Sequence, residues 1–383
     1  MAALTSVTKS LGYRLFASTA VTRNITINIP DTSFETYNCE APSLKVNLKK
    51  EELIDMYKGI ATIRRLETTA DSLYKARLVR GFCHLSTGQE AVVVGMEAAL
   101  APEDYSITAY RAHGFTYMRG GTVKSILAEL LGRRDGISKG KGGSMHMFTP
   151  KYLGGNGIVG SQVPLGAGIA FSQKYQERKG ATFTYYGDGA ANQGQVFESF
   201  NMAKLWDLPC VFVCENNNYG MGTSAERSSA CTSYFKRGGY IPGIKVNGMD
   251  VLAVYNAIKY ARDWTVTHGK GPIILEMETY RYAGHSVSDS GTAYRSREEI
   301  QDVRSNNDAI VNLKGYLMEY KVISEDDAKA LDKEARAHVE EATEEAKNSP
   351  EPDLGEFWDD VYVKGTEVPF LRGREPEEFH HYK

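Results

Sequence analysis

Thr182-Phe-Thr-Tyr-Tyr-Gly-Asp-Gly189 and Cys210-Val-Phe-Val-Cys-Glu-Asn-Asn217 decide how this chain is read. Each segment opens as a short apolar run of strand length. Between them, Gln193–Trp206 reads as a helix, and Pro209 closes the connection. A strand, a helix and a second strand place both strand ends on one edge of a parallel sheet. Ligands of such sheets bind at the carboxyl ends of the strands. Asp188 and Asn217 therefore meet where a ligand would sit. Glycines on either side of Asp188 let the backbone turn and approach phosphate oxygens closely, and the following helix N-terminus offers free N–H groups to an anion. Asp188, the Asn217 amide oxygen, a backbone carbonyl near Tyr219 and two phosphate oxygens would nearly complete an octahedral magnesium shell. Gly-Asp-Gly alone is a common turn. Joined to Asn-Asn behind a strand–helix–strand unit, it outweighs the plainer reading of two polar loops that cap helices.

Working outward, Leu53, Tyr57, Ile60, Ile63 and Leu66 recur at helical spacing and predict a helix over 50–78. Further helices are expected at Gln162–Arg178 and Val251–Thr267, with a strand at Ile273–Tyr280. Alternating strands and helices predict an α/β fold: a mostly parallel sheet flanked by helices on both faces. Residues 31–45 read as a linker, and Arg80–Gly160 as glycine-rich loops with short helices. Ser324 and Asp327 cap a long polar helix with a thin apolar stripe. The expected division is a leader over 1–30, an α/β domain over 45–350 and a polar tail over 351–383.

A hydrophobic fraction of 42% and a charged fraction of 24% describe a globular chain with enough apolar material for a core. A net charge of -3 supplies no basic field for nucleic acid, and no apolar run is long enough to insert in a membrane. Five cysteines, an odd number, do not make a disulfide framework. Cys210 and Cys214 fall on one face of a strand and read as buried thiols. The first 30 residues carry Lys9, Arg14 and Arg23 among Ser, Thr and apolar residues, with no acid before Asp31. That composition predicts a mitochondrial transit peptide and a matrix location.

Eight ordered segments carry a resemblance that covers roughly Leu48 to Pro350. They are Arg80-Gly-Phe-Cys-His-Leu85, Gly88-Gln-Glu90, Thr108-Ala-Tyr-Arg-Ala-His-Gly114, Gly140-Lys-Gly-Gly-Ser-Met-His-Met147, Gly154-Gly-Asn-Gly-Ile-Val-Gly160, Gly187-Asp-Gly-Ala-Ala-Asn192, Glu215-Asn-Asn-Asn-Tyr-Gly-Met-Gly222 and Tyr280-Arg-Tyr-Ala-Gly-His-Ser286. On these the chain resembles the alpha subunits of thiamine diphosphate-dependent 2-oxo acid dehydrogenases. Branched-chain members have Gly-Glu-Gly at the metal, so the resemblance sides with pyruvate. It implies the thiamine diphosphate-binding fold, with Asp188, Asn217 and the Tyr219 carbonyl on magnesium. It places Tyr110, Arg111 and the backbones of Gly189 and Ala190 at the diphosphate, Gly157 and Val159 at the aminopyrimidine, and Met221 near the thiazolium. His84 and His285 would face the reacting centre, His84 with Phe82 positioning substrate and His285 moving protons or steadying acyl transfer. The implied partners are a beta subunit, in a two-alpha, two-beta assembly, and a dihydrolipoyl acetyltransferase whose lipoyl group is reductively acetylated. In this family the glutamate that polarises the aminopyrimidine comes from the beta subunit, so Glu90 is expected to be structural. Ser286 and Ser224 match phosphorylation positions, which would bring in a kinase and a phosphatase. Ala293 replaces a further phosphorylation-site serine, and Ala283 replaces a histidine common in animal relatives.

His113 and His146 are as readily structural as functional. Gly155-x-Gly157-x-x-Gly160 satisfies the dinucleotide fingerprint as a string, but no clear strand is expected before it and no suitably placed acid follows. The remaining alternatives are the alpha subunit of another 2-oxo acid or acetoin dehydrogenase and a non-catalytic assembly subunit, and the intact metal triad with His84 and His285 argues against the latter.

Overall fold

The computed structural model describes residues 24–382. The segment expected to act as a leader lies outside the described residues up to position 23. The fold then starts earlier than the expected boundary at residue 30. Strand β1 (Ile25–Asn28) pairs with β3 (Lys45–Leu48), and Ile27 is fully buried. Between them, β2 (Phe34–Tyr37) adds an antiparallel edge to the central sheet. The stretch expected to be a linker is therefore structural. Its strands are four residues long with at most two buried positions each, too few to show a period.

The central sheet has seven strands: β2, then β4 (Tyr105–Ala109), β5 (Tyr152–Asn156), β6 (Thr182–Gly187) and β7 (Cys210–Asn216). A small hairpin follows, β8 (Tyr219–Gly220) with β9 (Thr223–Ser224), before the last sheet strands β10 (Gly243–Asn247) and β11 (Ile273–Glu278). The spatial order is β2-β10-β11-β7-β6-β4-β5, and every pair except β2–β10 is parallel. Alternation along β7 explains the two covered faces. Val211 and Val213 enter one apolar cluster, while Cys210, Phe212 and Cys214 enter another. All five are fully buried, and each large side chain contributes about 1.5–3 kcal/mol of burial. The first face is covered by α1 (Lys50–Lys75), α2 (Glu90–Ala99) and α8 (Val251–Arg262). The short helices α3 (His113–Met118) and α4 (Val123–Leu130) lie beside α1. The second face is covered by α5 (Gln162–Tyr175) and α6 (Gly194–Leu205). After the short α7 (Ala225–Ser228), the chain ends in α9 (Arg297–Asn306), α10 (Ala309–Glu319) and α11 (Glu325–Asn348).

Most expected helices and strands lie within a few residues of their predicted ends. The α8 helix stops at Arg262 and continues as a π turn over Asp263–Thr267. The Ser324 hydroxyl accepts the Asp327 N–H at 3.1 Å, which is the expected cap of α11. Two sheet strands, β4 and β5, correct the loop reading of Arg80–Gly160. Gly154 and Gly155 interrupt β5, which hid it from a search for β-branched runs. A strand does therefore lead into the glycine-rich loop. However, β4 lies between β5 and β6, so the loop does not belong to a βαβ unit of adjacent strands. The tail after Pro350 docks on the domain. Its hairpin, β12 (Phe370–Arg372) with β13 (Phe379–His381), follows a segment held by Lys139 and Lys141 on Asp360.

Candidate active site

Four neighbouring strands, β11, β7, β6 and β4, end along one edge of the sheet. The residues that follow those ends line a single cavity of about 280 Å³. Register sets the arrangement. Gly187 lies opposite Glu215, so Asp188 and Asn217 leave the sheet side by side. Gly189 then meets Gly220 of the β8–β9 hairpin, where a Cβ on Gly189 would lie 3.2 Å from the Gly220 Cα. A side chain there would push the hairpin back by a few tenths of an ångström, so glycine suits this close approach. Asn218 and Met221 have φ of 68° and 57°, an uncommon backbone for a non-glycine residue and a mark of a loop held by its surroundings.

Asp188 is 2% exposed, and its Oδ2 has no hydrogen-bond partner. Burial pushes its carboxyl up to about 6, against the pull of nearby backbone N–H groups and Arg281. A buried carboxylate oxygen without a partner is costly unless a ligand completes it. The paired asparagines divide the work. Asn216 donates to Glu276 at 2.8 Å and accepts the Asn218 N–H, shaping the turn. Asn217 faces the cavity, its amide braced by Gln89, which also holds Glu215. The Asn217 Oδ1 and the carbonyl of Tyr219 converge on the Arg281 guanidinium, at 3.1 and 3.2 Å. A cation thus already draws these two acceptors together beside the unpartnered Asp188 oxygen. The donor set, a carboxylate, an amide oxygen and a carbonyl, fits a hard divalent ion such as magnesium. Among the described residues, no group of three His, Cys, Asp or Glu side chains could hold a metal.

His84 and His285 come together beside the cavity. Their rings lie 5.3 Å apart, and the Tyr110 ring sits 4.4 Å from His84 and 5.4 Å from His285. The Arg111 fork ties both segments, donating to the carbonyl of Leu85 and, at 3.2 Å, to that of His285. Burial first, and Arg111 next, hold the His84 imidazole down at about 3 and that of His285 at about 4. Both rings are therefore neutral at pH 7 in the absence of an anion. A diphosphate beside Arg111 and Arg281 would offset that positive field and raise both values.

Tyr110, Arg111, Val159, Asp188, Gly189, Ala190, Asn217, Tyr219, Met221 and His285 line the cavity, whereas Gly157, His84 and Phe82 do not. Phe82 is 62% exposed, its ring 6.0 Å from His84. Gly157 is exposed beside His146. Glu90 lies away from the cavity, fully buried against Arg64 and the Gly88 N–H. The Ser286 hydroxyl is 7% exposed and pairs with Ser288, and Ser224 caps α7. Sequence reasoning missed Arg281, Gln89 and Gln162. Arg281 lies within a quoted segment, but nothing in its spacing shows that its guanidinium turns into the cavity.

Comparison with known proteins agrees with this geometry. Residues 58–355 match the family described as "Dehydrogenase E1 component". The chain is 59% identical to the Saccharomyces cerevisiae protein named "Pyruvate dehydrogenase E1 component subunit alpha, mitochondrial", over 94% of this chain and 86% of that one. A Schizosaccharomyces pombe protein of the same name is 55% identical over 93% of this chain and 88% of its own length. The Rattus norvegicus somatic form is 52% identical over 90% and 89%. With a family match across most of its length and relatives above half identity, the chain belongs to the dehydrogenase E1 component family.

Proposed function

We infer that this chain is the alpha part of an enzyme that decarboxylates pyruvate with thiamine diphosphate and passes the acetyl unit to a lipoyl group, in the mitochondrial matrix. The relatives' names carry the pyruvate dehydrogenase activity, the alpha-subunit role and the compartment. The observation that carries the mechanism is Asp188, which lines the cavity at the strand ends with its buried Oδ2 unpartnered.

Asp188, Asn217 and the Tyr219 carbonyl would hold magnesium and, through it, the diphosphate. Arg111 and Arg281 supply positive charge on the same side. When bound, the cofactor supplies the electron sink that decarboxylation of a 2-oxo acid requires. The chain contributes binding, orientation and proton traffic. The aromatic ring of Tyr110 holds His84 and His285 at fixed spacing, and Arg111 fixes their backbones. Raised toward neutrality by the anion, these imidazoles would carry protons at the reacting carbon. Phe82 stands beside His84 and would limit the substrate to a short side chain.

A beta subunit completes the site. Ile158 and Met221 are 74% and 63% exposed at the cavity mouth, and Leu165, Phe171 and Tyr175 line an uncovered face of α5. Apolar patches of this kind mark protein interfaces. Two alpha and two beta chains are the assembly proposed. Ser286 lies beside His285, so a phosphate there would add charge next to the reacting centre and disturb the loop that His285 stands on.

The test is to co-express the chain with a beta subunit and measure acetylation of a lipoyl acceptor. Pyruvate should be preferred over branched 2-oxo acids by at least about tenfold, a difference of roughly 1.4 kcal/mol in the transition state. Equal or inverted preference would reject the assignment.

A further inference from the structure

A second chain of polar groups lies behind His84, and the reaction as described does not use it. Glu67 of α1, His113 at the start of α3 and Ser144 in the turn Gly143–Met145 are 0%, 0% and 3% exposed. His113 Nδ1 lies 2.8 Å from Glu67 Oε2, and His113 Nε2 lies 2.8 Å from the Ser144 hydroxyl. That connectivity is the one found in nucleophilic Ser–His–carboxylate triads. Here it cannot serve that purpose, because the hydroxyl is closed to any substrate. Ser144 Oγ also accepts the backbone N–H of His84, at 3.4 Å, and lies beside the Cys83 thiol.

Glu67 reaches the same segment from its other end. Its Oε1 accepts both the N–H of Ser86, at 2.9 Å, and the Ser86 hydroxyl, at 2.7 Å. With two Ser86 donors on one oxygen, the Glu67 carboxylate acts as an acceptor, so His113 Nδ1 donates to it. The segment Cys83–Ser86 is thus gripped at His84 through Ser144 and at Ser86 through Glu67. The ring that joins the two grips is His113. The loop that delivers Ser144 is fixed in its turn. Glu129 accepts the N–H groups of Ser138, Gly140, Gly142 and Gly143, at 2.8, 2.9, 2.7 and 3.0 Å. Ser144 and Glu67, joined through His113, thus hold the backbone of the segment that carries His84 at two points.

We propose that Glu67, His113 and Ser144 form a buried hydrogen-bond relay whose role is to position His84 for the reaction. They are positioning residues, since none touches the cavity. The proposal rests on the reading in which His84 serves the pyruvate step. A ring 4.4 Å from Tyr110 and 5.3 Å from His285 is moved out of register by a shift of a few tenths of an ångström in its backbone. Removing one hydroxyl behind it should therefore slow turnover and leave cofactor binding alone.

The test uses the assembled complex with its beta subunit. The variants are Ser144→Ala, Ser144→Thr, His113→Gln, His84→Ala and the pair Ser144→Ala with His84→Ala. For each, kcat and KM for pyruvate, thiamine diphosphate affinity and Tm are measured. Ser144→Ala should lower kcat about fivefold to tenfold with KM and cofactor affinity within about twofold, and Ser144→Thr should recover most of the loss. In the His84→Ala background, Ser144→Ala should add less than about twofold, because the relay acts through that residue. His113→Gln should likewise be non-additive with Ser144→Ala. An equal fall from Ser144→Ala in both backgrounds, or an unchanged kcat, overturns the relay. If His84→Ala keeps full kcat, the role of His84 and the relay's purpose fall together. If His84→Ala is slow and Ser144→Ala is not, only the relay falls.

Discussion

Two sets of buried polar groups in this protein contrast. Behind the site, three carboxylates are saturated. Glu129 accepts four backbone N–H groups, Glu90 holds Arg64 and the Gly88 N–H, and Glu67 takes three donors. In and beside the cavity, polar groups are left open. Asp188 Oδ2, Arg281 Nη1 and His84 Nδ1 are buried without partners. Desolvation is costly in both places, and only the first region recovers it within the chain. Partnerless polar atoms also occur in the scaffold, at Ser106, Tyr185 and Trp264 among others, so what marks the cavity is the meeting of Asp188, Arg281 and His84 at one sheet edge.

Breaking the saturated region should therefore cost stability first. The largest effect is expected from Arg64→Ala, which leaves Glu90 and Asp308 with uncompensated buried charge. A loss of about 3–5 kcal/mol is expected in denaturant unfolding. A loss under about 1 kcal/mol would place Arg64 outside the scaffold. Glu129→Gln comes next. Its amide nitrogen cannot accept, so two of the four loop N–H groups lose their partner, at about 1–3 kcal/mol in total. Proteolysis within 138–143 should become faster, and unchanged cleavage there would break this side of the comparison.

The open region should respond to pH. His84 titrates near 6.5 when unfolded and near 3 when folded. Between those values the unfolded chain takes a proton that the folded chain refuses, so this residue lowers stability as pH falls. His84→Ala removes the term. Relative to the parent, the variant should gain about 1–2 kcal/mol of unfolding free energy between pH 7.5 and pH 5. A constant difference across that range would show that the ring is not held neutral. The smallest effect belongs to a helix end remote from both regions. Ser324→Ala should cost about 1 kcal/mol in Tm-derived stability and nothing in activity.

The same contrast explains what could be read from the residues. Asp188 and Asn217 follow two strands that are buried on both faces, and such strands announce themselves as unbroken apolar runs. Their shared edge follows from the strand–helix–strand connection alone. The partners that complete the site lie on irregular backbone, where neither period applies. Arg281 reaches the Asn217 oxygen from the segment after β11, and Gln89 reaches Asn217 from the loop before α2. Nothing in their spacing marks either contact. The strand β5 was hidden for a different reason, since Gly154 and Gly155 replace the side chains that would have shown alternation. His113 could be read either as structural or as functional, because only its burial between Glu67 and Ser144 separates the two.

Titration of thiamine diphosphate and magnesium into the complex with its beta subunit tests the account most directly, comparing the parent with Asp188→Ala. Magnesium-dependent, saturable binding by the parent is predicted. For the variant, the account predicts at least about a hundredfold weaker affinity, roughly 2.7 kcal/mol, with no loss of stability before ligand is added. Equal affinity in the two proteins, or binding by the parent that ignores magnesium, would contradict it.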